Sequence, residues 1–323
     1  MKYRQFGRRG WMVSEIGYGM WGMGGWTGSD DKASLQALQL AVDGGCNFFD
    51  TAWGYGEGHS ERLLGQIVRS NPGVQLYVAT KIPPKNFIWP SRRDHALEEC
   101  FPPEHIELYV QKSLENLGTK KINLIQFHTW EDSWLDDDRW MRKMEDLRNE
   151  GLIDLVGISI NRWEPWNGVN AVRSGLIDAV QVIYNIFDQN PEDELLPACR
   201  DMDVAVIARV PFDEGTLTGN LTLDSKWPEE DWRNSYFVPE NLRSSVEHAE
   251  PLKELVPNGM SMAEMALRFI LNEEGVSTII PGMRKIEHVE ANLATSESGP
   301  LEHNLHQELK KHRWDRIPTE WSQ

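Results

Sequence analysis

The 323-residue sequence predicts an α/β fold, a (β/α)8 TIM barrel with an N-terminal β-hairpin cap and a C-terminal extension. Short apolar runs alternate with amphipathic stretches through eight strand-then-helix units. The runs are apolar on both faces, as parallel strands covered on both sides must be. No Gly-, Ser- or Pro-rich linker divides the chain, so one domain is expected, with a hairpin at 1–15, a barrel at 16–295 and a tail at 296–323.

The first segment, Met1 to Glu15, reads as a hairpin turning at Gly7–Gly10. Strands are expected at Ile16–Met20, Cys46–Phe49, Leu76–Thr80, Ile122–Phe127, Leu155–Ile158, Ala179–Ile183, Val204–Ala208 and Val276–Ile280. Helices are expected at Lys32–Asp43, Glu61–Ser70, His105–Leu117, Arg139–Glu150, Trp166–Arg173, Glu192–Met202, Leu242–Leu255, Met262–Leu271 and Ile286–Leu293. Two long loops, Pro83–Pro103 and Thr218–Pro239, interrupt the alternation.

Composition narrows the function. A net charge of −17 opposes nucleic-acid binding, which needs a basic surface. No apolar run reaches the roughly 20 residues of a membrane helix, and the charged start MKYRQFGRRGW lacks the apolar core of a secretory signal. Cys46, Cys100 and Cys199 are far apart, form no zinc motif and fit reduced thiols in a cytoplasmic protein.

Chemistry gathers at strand ends. In FFDTAWGYGEGHSE, Asp50 closes an apolar run and Tyr55 follows five residues later in the loop. Lys81 follows LYVAT and His128 follows INLIQF. In a barrel these ends converge on one face, bringing together an acid, a phenol, an amine and an imidazole. A phenol has a pKa of about 10, which a nearby ammonium lowers. Asp50 would hold that ammonium in place, and His128 would orient a carbonyl oxygen. Such a set protonates a nascent alkoxide, so carbonyl reduction is the expected reaction and a cofactor must bring the hydride. Each residue alone has a plainer reading, as a helix cap, a snorkelling lysine or a satisfied core histidine.

The last strand ends in STIIPGMRK, where Gly282 lets a phosphate approach, and Arg284, Lys285 and His288 supply positive charge at a helix start. Arg284 and His288 share a helix face, which points to a 2′-phosphate and NADPH. A second glycine string, Gly17-Tyr-Gly19-Met-Trp-Gly22, matches a Rossmann fingerprint, but helix signals appear only at Asp30 and Asp31, and the alternation runs beyond six strands. Of the 14 tryptophans, Trp21, Trp26, Trp53, Trp89, Trp130, Trp134, Trp227 and Trp232 fall in loops after strands, and Trp21, Trp53, Trp89 and Trp130 are expected nearest a substrate pocket.

From about Tyr3 to Asn292 the chain resembles the aldo-keto reductase superfamily, through FFDTAWGYG, GHSERLLG, VATK, IQFH, VGIS, VQVIYNIFD, EGTLTG and IPGMRKIEHVEAN. The resemblance implies a barrel closed at its base by the hairpin and metal-free, NADPH-dependent reduction of an aldehyde or ketone. It implies Tyr55 as general acid, Lys81 and Asp50 tuning it, and His128 orienting the carbonyl. Ser159 and Gln181 would hold the nicotinamide carboxamide. Met20, Trp21, Asp50, Val210, Phe212, Gly215 and Leu217 would line the cofactor, and Gly282, Met283, Arg284, His288 and Asn292 its adenosine phosphate. Two departures stand out. Ser159 is followed by Ile160, with an asparagine only at Asn161, and Arg209 replaces the aromatic residue that many members stack on the nicotinamide, which implies altered cofactor affinity or redox preference. Two other readings stay open: an NADPH-binding regulatory subunit with little turnover, and a barrel isomerase without nicotinamide.

Overall fold

A computed structural model describes residues 1–25 and 28–319. Strands β1 (Tyr3–Phe6) and β2 (Trp11–Ser14) form the antiparallel hairpin, with Tyr3 opposite Ser14 and Phe6 opposite Trp11. Phe6 and Val13 close the barrel floor against Phe48, Leu124, Leu155, Ala205 and Ile207. Arg4 fastens the hairpin to the last unit by donating to the carbonyls of Leu271, Glu273 and Val276 at 2.7–3.0 Å, while pairing with Glu15 at 3.0 Å. The bond to Leu271 satisfies an acceptor that a helix C-terminus otherwise leaves open.

The barrel strands are β3 (Tyr18–Gly19), β4 (Phe48–Asp50), β5 (Tyr77–Ile82), β6 (Ile122–Phe127), β7 (Ile153–Ser159), β8 (Ala179–Ile183), β9 (Ala205–Arg209) and β10 (Thr278–Ile279). All pair in parallel and in chain order. The seam between β3 and β10 closes through Gly17 N to Ile279 O at 2.7 Å and Gly19 N to Pro281 O at 3.0 Å. Here the Rossmann-like glycines find their role. A Cβ on Gly17 would lie 2.8 Å from Thr278 Oγ1, and one on Gly19 2.5 Å from the Ile280 carbonyl oxygen. Their small size lets the two edge strands touch.

The helices are α1 (Asp31–Asp43), α2 (His59–Ser70), α3 (Leu97–Cys100), α4 (Pro103–Leu117), α5 (Arg139–Asn149), α6 (Val169–Arg173), α7 (Leu195–Asp201), α8 (Arg233–Tyr236), α9 (Pro239–Lys253), α10 (Met262–Leu271), α11 (Ile286–Ser298) and α12 (His303–Lys310). Asp30 caps α1 through Ala33 N, and Ser261 caps α10 through Glu264 N. The expected elements are present, with ends moved by a few residues. The expected Ile16–Met20 strand pairs only over Tyr18–Gly19, with an isolated bridge at Ile16. Helix α11 runs past the expected Leu293 to Ser298.

The tail is more than a charged appendage. After α12, Arg316 is buried and pairs with Asp188 at 2.5 Å and Asp213 at 2.7 Å, its guanidinium 4.6 Å from the rings of both Trp163 and Trp314. Two buried carboxylates therefore depend on one cation from the far end of the chain, and burial already pushes the Asp188 carboxyl up. Arg316→Met should destabilise the fold by about 3–5 kcal/mol at neutral pH, because it leaves buried charge uncompensated. Urea denaturation should find that deficit shrinking as the pH falls and Asp188, its carboxyl already pushed up by burial, takes up a proton. A deficit below about 1 kcal/mol at neutral pH would refute this role.

Candidate active site

Asp50 is the last residue of β4, Lys81 the penultimate residue of β5, and His128 follows β6, so three adjacent strands present them at one rim. Tyr55 is brought over them by the loop Thr51–Gly58, which turns through Tyr55 N to Ala52 O at 3.1 Å and Gly58 N to Trp53 O at 2.7 Å. Gly56 has φ +68°, and a Cβ there would meet the Gly24 carbonyl oxygen at 2.5 Å, so this turn requires glycine. Lys81 Nζ donates to Asp50 Oδ1 at 2.5 Å, to the Thr51 carbonyl at 2.7 Å and to the Tyr55 hydroxyl at 3.2 Å. All three of its donors are used. The other Asp50 oxygen accepts from Gln181 Nε2 at 2.7 Å and Gln126 Nε2 at 3.1 Å. The His128 ring stands edge-on to Tyr55, with centroids 5.7 Å apart.

The electrostatics correct one expectation. Burial pushes the Tyr55 phenol above its usual 10.0; Lys81 pulls it down, Asp50 pushes it up again, and the balance is upward. The ammonium was expected to lower it, but Asp50 neutralises that ammonium at 2.5 Å, so desolvation wins. Burial also acts to lower the Lys81 pKa, but Asp50 and Tyr55 more than offset this, and Lys81 is held above its ordinary value. Burial, then the charges of Lys81 and Arg209, hold His128 well below its usual value. At neutral pH the site thus holds a neutral phenol, a neutral imidazole and a charged lysine.

Around the mouth, three buried polar atoms have no partner: His128 Nδ1, Asn161 Oδ1 and Arg209 Nε. Open hydrogen-bonding groups of this kind fit an occupant bearing carbonyl and amide groups, as a nicotinamide and a carbonyl substrate would. Ser159 ends β7 and Gln181 lies mid-β8, but the Gln181 amide nitrogen is already engaged with Asp50. Asn161 gives its Nδ2 to Glu131 at 3.0 Å, Glu164 at 3.2 Å and the Ser91 carbonyl at 3.3 Å, so only Oδ1 remains for the carboxamide contact expected of it. Arg209 donates Nη2 to the Ile160 carbonyl at 3.1 Å.

Beyond Arg209 the chain adopts positive φ at Val210, Asp213, Glu214 and Gly215, folding Phe212–Thr218 into a tight loop over the rim. Phe212 and Gly215 are half-buried and Leu217 fully buried beneath them. Across the mouth, nothing lies within 4 Å of where a Gly282 side chain would be, leaving space at the start of α11 beside Arg284, Lys285 and His288. Arg284 Nη1 donates to the Gly22 carbonyl at 3.4 Å. Met20, Met283 and Asn292 are buried; Met20 N bonds the Asp50 carbonyl, and the Met283 carbonyl accepts from the Tyr18 hydroxyl. Met20 and Met283 both belong to the main buried apolar cluster.

The tryptophans divide. Trp89 lies 6.0 Å from the His128 ring, Trp53 packs edge-on to Tyr109 at 4.7 Å, and Trp21 meets Trp232 edge-on at 4.9 Å. Trp130 is 0% exposed, packed against Phe127, Trp134 and Trp140, with its indole N–H donated to Asp132. It is a core residue, and the expectation that it lines the substrate pocket is overturned. Trp134 is likewise core, and Trp26 lies outside the described residues. Sequence reading missed Gln126 on Asp50, the Arg162–Glu214 pair at 2.6 Å, and Glu131, whose carboxyl is pushed up to about 7 chiefly by burial. Gln126 was findable, since it precedes His128 by two and must point into the same barrel. The others sit in loops, where no periodicity betrays direction.

Comparison with known proteins agrees with this geometry. Residues 15–313 match the model of the Aldo/keto reductase family. Aldo-keto reductase YhdN of Bacillus subtilis is 29% identical over 90% of this chain and 87% of its own length. The NADH-specific methylglyoxal reductase of Escherichia coli is 28% identical over 87% of this chain and 89% of its own. The holo form of aldo-keto reductase AKR11C1 from Bacillus halodurans superposes with a TM-score of 0.77 at 25% identity, over 100% of both chains. With an eight-stranded parallel barrel, a hairpin floor and this rim, the chain belongs to the aldo/keto reductase family.

Proposed function

We propose that this chain catalyses the NADPH-dependent reduction of an aldehyde or ketone to an alcohol, with Tyr55 as the proton donor. The observation that carries this reading is the Lys81 ammonium, which donates at once to Asp50 and to the Tyr55 hydroxyl. A bound nicotinamide supplies the hydride. The chain's residues do the rest. Neutral His128 orients the carbonyl oxygen beside Tyr55. As negative charge develops on that oxygen, the Tyr55 proton moves to it, and the phenolate left behind is stabilised by Lys81 at 3.2 Å. Asp50 keeps Lys81 charged and in place.

Arg284, Lys285 and His288 support NADPH over NADH, since a 2′-phosphate at a helix start gains charge-assisted hydrogen bonds. Arg209, in place of an aromatic residue, would meet the nicotinamide with a charged plane. The same reading keeps the chain in the cytoplasm, where its three buried free thiols stay reduced.

Tyr55→Phe should lower kcat by about 10²–10⁴-fold with any carbonyl while NADPH still quenches protein fluorescence; near-normal turnover would rule Tyr55 out as the acid. Arg284→Ala should weaken NADPH binding about 10–100-fold and NADH binding by less than about threefold; equal losses would remove the 2′-phosphate assignment. The pH dependence follows from the two shifts. The acid works while protonated, and its pKa lies above 10.0, whereas His128 stays neutral to well below 6.5. With a neutral substrate and saturating cofactor, kcat should stay flat from about pH 6.5 to about pH 9 and fall only at higher pH. An acidic limb near pH 6.5 that disappears in His128→Asn would contradict this.

A further inference from the structure

The carbonyl-reductase reading leaves one charge without an ionic partner. Arg209 is half-buried at the end of β9, yet makes no ion pair among the described residues; one Nη2 bond to a backbone carbonyl is its sole hydrogen bond, and its buried Nε has no partner. The acid that could answer it, Glu214, is taken by Arg162 at 2.6 Å. Burial and the repulsion of Arg162 together push the Arg209 pKa down to about 10, still charged at neutral pH. An unanswered buried cation costs several kcal/mol. Its field falls on Tyr55, Asp50 and His128, so it stands at the reacting centre and not at the adenosine end, which has Arg284 and Lys285.

We propose that Arg209 receives an anionic group next to the reacting carbonyl, so that the preferred substrate is a 2-oxo acid. This rests on the reductase reading above and sharpens it. A guanidinium matches a carboxylate in shape and offers two parallel N–H groups, of which the unpartnered Nε is one. In the reduction the hydride adds to carbon 2 and the C=O π pair moves onto oxygen. That oxygen takes the Tyr55 proton, NADPH is oxidised to NADP⁺, and the carboxylate leaves unchanged as part of a 2-hydroxy acid. Arg209 is thus a specificity residue, discriminating against neutral ketones that leave it desolvated and unpaired.

The test compares pyruvate with 2,3-butanedione, a neutral isostere, in wild type, Arg209→Gln and Arg209→Lys. Wild type should favour pyruvate in kcat/KM by at least about tenfold. The ratio of the two should fall about 50-fold in Arg209→Gln, whatever loss both share, and recover in part in Arg209→Lys. A binding readout stands beside turnover: oxamate should perturb the fluorescence of bound NADPH, with at least about tenfold weaker affinity in Arg209→Gln. A ratio unchanged by the substitution, or a loss confined to NADPH affinity, overturns the proposal. A protein that reduces butanedione better than pyruvate overturns the anion site alone. One that reduces no carbonyl, simple aldehydes included, also overturns the reductase reading beneath it.

Discussion

The contact between Lys81 and Asp50 is the constraint around which the rim is arranged. Both are essentially inaccessible, at 0% and 2% exposure, inside an apolar barrel. Desolvating two ions costs several kcal/mol each, and their attraction repays this only when every remaining donor and acceptor is satisfied. Here each is: Thr51 and Tyr55 take the other ammonium protons, and Gln126 and Gln181 cover the second carboxylate oxygen. The participants come from β4, β5, β6 and β8, so one polar knot spans the barrel. An apolar pair of similar volume would fold as well or better, which makes the pair a feature kept for chemistry.

Because the pair is internally neutral, it does not drag the phenol into its ionised form. Desolvation outweighs the pull of Lys81 and Arg209 on Tyr55, and the hydroxyl keeps its proton until a stronger base appears. The phenolate is then favoured only after the proton has moved, when the ammonium 3.2 Å away gains a second anion. Stabilisation therefore grows along the reaction and is small in the resting site, the condition for lowering a barrier.

Much of this was legible in the chain. Uniform apolar strands gave the barrel, and the residues that follow them, Asp50, Lys81 and His128, could be placed on one face because strand direction in a parallel barrel admits no other arrangement. What escaped reading is what depends on loop direction or on partners distant in sequence. Trp130 sits in a loop after a strand as Trp89 does, yet one turns inward to Phe127 and Trp140 and the other outward to His128, and nothing local distinguishes them. The sign of the Tyr55 shift required the Asp50 distance. Arg316, more than a hundred residues from Asp213, looked like one more charge in a polar tail.

The arginines of the mouth form a graded set, and their pairing explains the grading. Arg316 is shared by two aspartates and supports the loop that begins at Asp213. Arg162 holds the next residue of that loop, Glu214, and leans on the Tyr236 ring. These two cations are spent on the positive-φ backbone that carries the loop over the rim, a conformation with a cost of order 1–3 kcal/mol per residue. Arg209 has no ion pair among the described residues and stands one residue before that strained segment starts. The chain carries a net charge of −17, but in physiological salt that charge is screened beyond about 8 Å, so an anion entering the rim meets the local field. Arg209, whose charge acts on both Tyr55 and His128, is one positive source of that field.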